Sequence, residues 1–225
     1  MSQFTGHDLT CLRGDRLVFR GLSFSLGAGG ALVLLGPNGS GKSSLLRLMA
    51  GLLRPFAGTL AWDGVAVAGD PDAHRARVHY VGHLDAVKPV LTACENLAFW
   101  AAMGGVADTR TAALDALDRL GVPHIADVPG RFLSAGQKRR LNLARILAAP
   151  APLWLLDEPS VALDRAGIKR LEAVIVEHRA TGGMIVVSTH ADLDLPEADT
   201  LELGAFSAAP EQDDGDEDHD GEEEF

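Results

Sequence analysis

An α/β domain with a mostly parallel sheet is the fold this sequence predicts, and three observations predict it. Three short, continuously apolar runs recur: "ALVLLG" (31–36), "LWLLD" (153–157) and "MIVVST" (184–189). Such runs suit strands buried on both faces of a parallel sheet. Helical patterns lie between them, and a glycine-rich loop joins the first run to a helical one.

The elements follow in order. "RLVFRGLSFSL" (16–26) alternates and is followed by glycine, so it reads as a half-buried strand of an N-terminal antiparallel group. "GPNGSGKS" (36–43) then leads from the 31–36 strand into the helical run "SLLRLMA". It fits G-x-x-x-x-G-K-[ST] in the required strand–loop–helix context. Gly36, Pro37, Asn38, Gly39, Ser40, Gly41, Lys42, Ser43 and Ser44 are the candidate phosphate cradle. The glycines let backbone N–H groups turn inward around phosphate oxygens, and the helix N-terminus adds partial positive charge. Lys42 should reach the β- and γ-phosphates, and the Ser43 hydroxyl should bind Mg²⁺.

"HYVGHLDAVKPVLTACENLAFW" (79–100) starts as a strand, breaks into a loop and ends as a helix. Thr92 and Glu95 have capping-box spacing, and Leu97, Trp100 and Ala101 share a helical face. Leu114, Leu117 and Leu120 are read as one face behind an Asp108 cap. Ile168, Leu171, Val174 and Ile175 are read as another behind Asp164. Ser134 and Gln137 in "LSAGQKRRLNLARIL" (133–147) form a second capping-box pair. A mostly helical insertion is expected at about 84–150.

Asp157 ends the 153–157 strand, where a carboxylate can hold the Mg²⁺ shell. Glu158, one residue on, points elsewhere and can polarise a water as general base. His190 follows the 184–189 strand, and ligands sit at the carboxyl ends of parallel strands. A histidine there can donate a hydrogen bond to a γ-phosphate.

Composition bounds the rest. The 225 residues fit one domain with an insertion, and 47% hydrophobic content is enough for a core. The net charge of −11 is concentrated at one end: residues 211–225 hold ten of the 31 acidic residues and no Lys or Arg. The body carries the other 21 acidic residues against 20 basic ones, so no nucleic-acid surface is expected. Residues 1–210 are read as the domain and 211–225 as a disordered acidic tail, since dense like charges repel. Cys11 and Cys94 make no disulfide framework, and without C-x-x-C-H covalent haem attachment is not expected. No secretion signal is read at the N-terminus, and "LAFWAAMGGVA" is well short of the ~18 residues a membrane span needs.

The order of cradle, "LSAGQ", "LWLLDEP" and His190 resembles that of ABC-type ATPases over essentially residues 1–204. The resemblance implies a P-loop NTPase of the ABC type, with a RecA-like core and a helical subdomain. It implies ATP and Mg²⁺ as cofactors. It also implies a homodimer in which Ser134, Gly136 and Gln137 close the partner's nucleotide site, with "VALD" (161–164), including Asp164, carrying signals between sites. Arg13 stands where an aromatic side chain usually stacks on adenine, and a guanidinium plane can also stack. Ala135 and Val161 replace the usual glycine and serine.

His83 stands where the family has a glutamine that touches Mg²⁺ or water and relays nucleotide state to the membrane subunit. "GHLDAVKP" (82–89) therefore resembles the joint to a permease. "YVGHLDAVKPVLTACENLAFW" is similar, more narrowly, to the ATPase subunit of the cytochrome c maturation system, the haem-exporter or CcmA family. That implies an integral membrane permease and cytochrome c maturation subunits as partners, at the cytoplasmic face of a bacterial inner membrane. Haem export and release of a haem-loaded chaperone both stay open. An exporter of lipid or another small molecule, and a soluble ABC protein, are the competing expectations.

Overall fold

A computed structural model describes residues 2–189 and 193–207. His190 and the acidic segment 211–225 lie outside the described residues. The chain runs β1 (Gln3–Arg13), β2 (Arg16–Gly27), β3 (Ala31–Leu35), α1 (Lys42–Met49), β4 (Ala57–Trp62), β5 (Val65–Ala66), α2 (Pro71–Arg75) and β6 (Val78–Val81). It continues through α3 (Ala93–Met103), α4 (Thr109–Arg119), α5 (Ala135–Ala148), β7 (Leu153–Asp157), α6 (Arg165–Ala180), β8 (Met184–Ser188) and β9 (Asp199–Glu202).

Two sheets result. One is four-stranded and antiparallel, in the order β2-β1-β4-β5; the other is five-stranded and parallel, in the order β6-β7-β8-β3-β9. The apolar runs are strands of the parallel sheet, and side-chain alternation explains why they need no polar face. Leu153, Leu155, Met184 and Val186 pack with α1 and the antiparallel sheet. Trp154, Leu156, Ile185 and Val187 pack on the other side with α3, α4, α5 and α6. One strand thus feeds two cores.

Both capping boxes form. The Glu95 amide donates to Thr92 Oγ1 (3.2 Å) while Glu95 Oε2 accepts from the Thr92 amide (2.8 Å). Ser134 and Gln137 do the same at 3.3 and 2.9 Å. Each box satisfies two N–H groups at a helix start. Asp108 caps α4 and Asp164 caps α6, as their positions predict.

The buried stripe of α4 differs from the expected one. It is Ala113, Ala116 and Leu117, continued by Leu120, while Leu114 is 37% exposed. The i, i+3, i+4, i+7 stripe starts one residue earlier, and at 100° per residue Leu114 rotates off it. Ile168 is likewise only half-buried, because Gly167, Leu171, Val174 and Ile175 form the inner face of α6. Among the described residues no helix is long and apolar enough to cross a membrane.

Candidate active site

The carboxyl ends of β3, β6, β7 and β8 meet at one edge of the parallel sheet, the edge where ligands bind in open α/β folds. The tip of the β1–β2 hairpin leans over it. Between them lies a cleft of about 620 Å³, lined by Arg13, Arg16, Val18, Asn38, Gly39, Gly41, Lys42, Ser43, Ser44, His83, Asp157, Glu158 and Val161. Residues far apart in sequence therefore share one space.

The cradle is shaped by its glycines. Gly36, Gly39 and Gly41 have φ of +140°, +82° and +102°, a region L side chains rarely adopt. Gly41 has a second constraint: a Cβ there would come within 2.7 Å of Val18 Cγ1. It also caps α1 without a side-chain bond, so the first amides of the helix point open into the cleft. Lys42 is buried, and its Nζ donates to the carbonyls of Gly36 (2.7 Å) and Pro37 (3.2 Å). Gly36, Pro37 and Ser40 lie behind the cleft wall rather than on it.

The acidic side is built on β7 and β8. Ser188, fully buried at the end of β8, donates its hydroxyl to Asp157 Oδ1 at 2.6 Å. Asp157 is only 2% exposed, and its Oδ2 has no hydrogen-bond partner among the described residues. A buried carboxylate oxygen is costly to leave unmatched. Asp157 and Ser43 line the same cleft, and that pair fits a divalent cation: Mg²⁺ is commonly held by one or two carboxylates plus substrate phosphates. No group of three or more His, Cys, Asp or Glu that could hold a metal occurs among the described residues. The donor set is thus right for a phosphate-shared Mg²⁺, not for a metal held by protein alone.

Glu158 is half-buried and adopts φ +49°, left-handed for a residue with a Cβ. Its amide donates to the Ser188 carbonyl at 3.0 Å. His83 sits exposed on the cleft wall, just past the end of β6.

The other expected residues lie elsewhere. Ser134 is exposed and Gly136 and Gln137 are half-buried, none of them lining this cleft. Gly136 faces the 161–164 loop closely, since a Cβ on it would lie 3.2 Å from the Ala162 carbonyl. Asp164 is exposed, accepts from the Gly167 amide at 2.7 Å and pairs with Arg140. The Gly167 amide, with the Arg140 guanidinium beside it, holds the Asp164 carboxyl below its ordinary range.

Sequence reasoning missed Arg16, Val18, Ser188 and Arg139. Arg16 pairs with Arg13 across the hairpin, so "RGDR" carried a legible signal: a two-residue turn puts both arginines at one tip. Ser188 and Arg139 act through strand and helix pairings that no local pattern shows.

Comparison with known proteins agrees with this geometry. The ABC transporter family profile matches residues 19–161. The "Cytochrome c biogenesis ATP-binding export protein CcmA" of Paramagnetospirillum magneticum is 62% identical over 212 residues, covering 93% of this chain and 98% of its own. The protein of the same name from Rhodospirillum rubrum is also 62% identical, covering 92% and 88%. Among solved structures, a putative ABC transporter ATP-binding protein from Pyrococcus furiosus superposes with a TM-score of 0.80 at 24% identity, over 92% of this chain and all of that one. The ATP-binding cassette MJ0796, a dimer bound to ADP and Pi, gives 0.73 at 26% identity, over 84% and 88%.

Proposed function

The chain belongs to the ABC transporter family of ATP-binding proteins, and from that premise we propose that it is the ATP-hydrolysing, energy-coupling subunit of an export complex serving c-type cytochrome biogenesis. The observation that carries the reading is the cleft itself: a glycine cradle faces Glu158 and a buried carboxylate with one unmatched oxygen.

The chain's own groups divide the work. Amides of residues 39–44 and the start of α1 bind the triphosphate. Lys42, which donates to the carbonyls of Gly36 and Pro37 at the cradle, is the cation that reaches a β- or γ-oxygen. Ser43 and Asp157 would hold Mg²⁺, which neutralises charge on the transferring phosphoryl group when bound. Glu158 accepts the proton of the attacking water. His190 donates to the γ-phosphate. Arg13 covers the nucleotide's base, with Arg16 beside it.

Two copies form a homodimer. Ser134, Gly136 and Gln137, at the open N-terminus of α5, complete the partner's site. Asp164, locked by Arg140, holds the connecting loop. His83 and the 82–89 loop meet an integral membrane permease and through it other cytochrome c maturation subunits, at the cytoplasmic face of the inner membrane. Turnover there drives haem export or release of a haem-loaded chaperone.

The test is co-purification from detergent-solubilised membranes of the source bacterium, using the tagged full chain. A haem-handling membrane subunit should copurify, and cells lacking the chain should lose holocytochrome c. Normal holocytochrome c in those cells would overturn the biogenesis role.

A further inference from the structure

Arg139 is a buried cation that the reading above does not use. It lies in α5 and is only 3% exposed. Its guanidinium reaches two separate segments. Nη2 donates to the carbonyls of Glu158 (2.6 Å) and Asp157 (2.9 Å), and Nε to that of Pro159 (3.4 Å). Nη1 donates to the Gly82 carbonyl at 3.0 Å, next to His83. Asp85 lies 3.6 Å away as counter-charge.

We propose that Arg139 is a positioning residue for hydrolysis: its fork clamps the backbone on which Glu158 stands and ties it to the end of β6 and to α5. The inference rests on reading Glu158 as the general base.

The physical case has two parts. Carbonyls beyond a strand's last ladder bond need donors when buried. Arg139 supplies them to Asp157, Glu158, Pro159 and Gly82 at once, which only a planar group with five N–H donors can do. The second part is strain. The left-handed backbone at Glu158 persists only where its surroundings over-determine it. Its amide side is fixed by the Ser188 carbonyl and its carbonyl side by Arg139. Release of the carbonyl side lets the peptide relax, and the carboxylate swings off its aim. The cradle and the hairpin tip stay in place, because the bonds of Arg139 go to the backbone of Asp157, Glu158, Pro159 and Gly82.

A structural role alone would be different. If Arg139 served only to neutralise Asp85, a lysine at its position would serve as well. Steady-state ATP hydrolysis by the full chain with its membrane partner, beside melting temperature, separates the two using R139Q, R139K and E158Q. R139Q should lower kcat by about tenfold or more while KM stays within about threefold, the signature of a mis-aimed base. R139K keeps the charge but not the fork, so its kcat should remain several-fold low.

Near-normal kcat in R139Q overturns the proposal, and so does wild-type kcat in R139K. If R139Q does not fold, R139K decides, and wild-type kcat there overturns it. E158Q guards the premise. Turnover by E158Q at the wild-type rate sinks the general-base reading, whereas an inactive E158Q beside an active R139Q sinks the clamp alone.

Discussion

Acid should loosen this protein through His178. Its ring stacks on Trp154 with centroids 3.7 Å apart and planes 3° from parallel, on the side of the sheet away from the cradle. Burial pushes its pKa down from 6.5 to about 4; the Met184 carbonyl opposes this and nearby His79 adds to it. The folded state therefore holds a neutral imidazole where the unfolded chain takes up a proton. Stability from this group is fully present above pH 6.5 and is lost as pH falls from there towards 4. Between pH 7.5 and 5 the linkage relation gives about 2 kcal/mol, and partial exposure of the ring trims that to about 1–2 kcal/mol. His178→Phe keeps the flat stack and removes the proton site. It loses the bond to the Met184 carbonyl, about 1 kcal/mol at neutral pH. Thermal unfolding at both pH values measures the difference. The wild type should lose about 3–6 °C more than the variant on acidification. Burial also lowers the pKa of His79 and His74, so some acid sensitivity should persist in the variant. Equal losses in both proteins would refute the assignment to His178.

Three further outcomes are expected. Gly41→Ala places a Cβ 2.7 Å from Val18 Cγ1 at a left-handed φ, so it should cost about 2 kcal/mol or more and weaken ATP binding; unfolding and nucleotide titration check this. His83→Gln should keep cytochrome c assembly, since an amide can also accept and donate, whereas His83→Ala should bind ATP yet lose assembly; holocytochrome yield beside ATP affinity is the measurement. Deleting residues 211–225 should leave ATPase activity and melting temperature nearly unchanged, because a repelling polyanion has nothing to pack, and a large fall in melting temperature would show otherwise.

The parallel sheet and the cradle were legible because both are local. A run such as "LWLLD" has no polar side to hide, and "GPNGSGKS" carries its backbone requirements in its glycines. The caps were legible for the same reason: Thr92–Glu95 and Ser134–Gln137 each close within one turn. The first strand was hard to read because β1 shifts register three times against β2, which breaks the period-two pattern. Leu114 misled because a stripe of small residues, Ala113 and Ala116, is the buried one. Arg139 and Ser188 were invisible because their partners lie on other segments of the chain. A sequence shows that a guanidinium exists, and only the fold shows which carbonyls it meets.

Glu158→Gln asks whether Glu158 is the base that serves a nucleotide held in this cleft. The amide keeps the size and removes the base. ATP affinity and turnover should be measured together on the full chain with Mg²⁺. ATP should still bind, turnover should fall by about 10²-fold or more, and dimers should accumulate with ATP trapped. Turnover near the wild-type rate, with affinity intact, would contradict it.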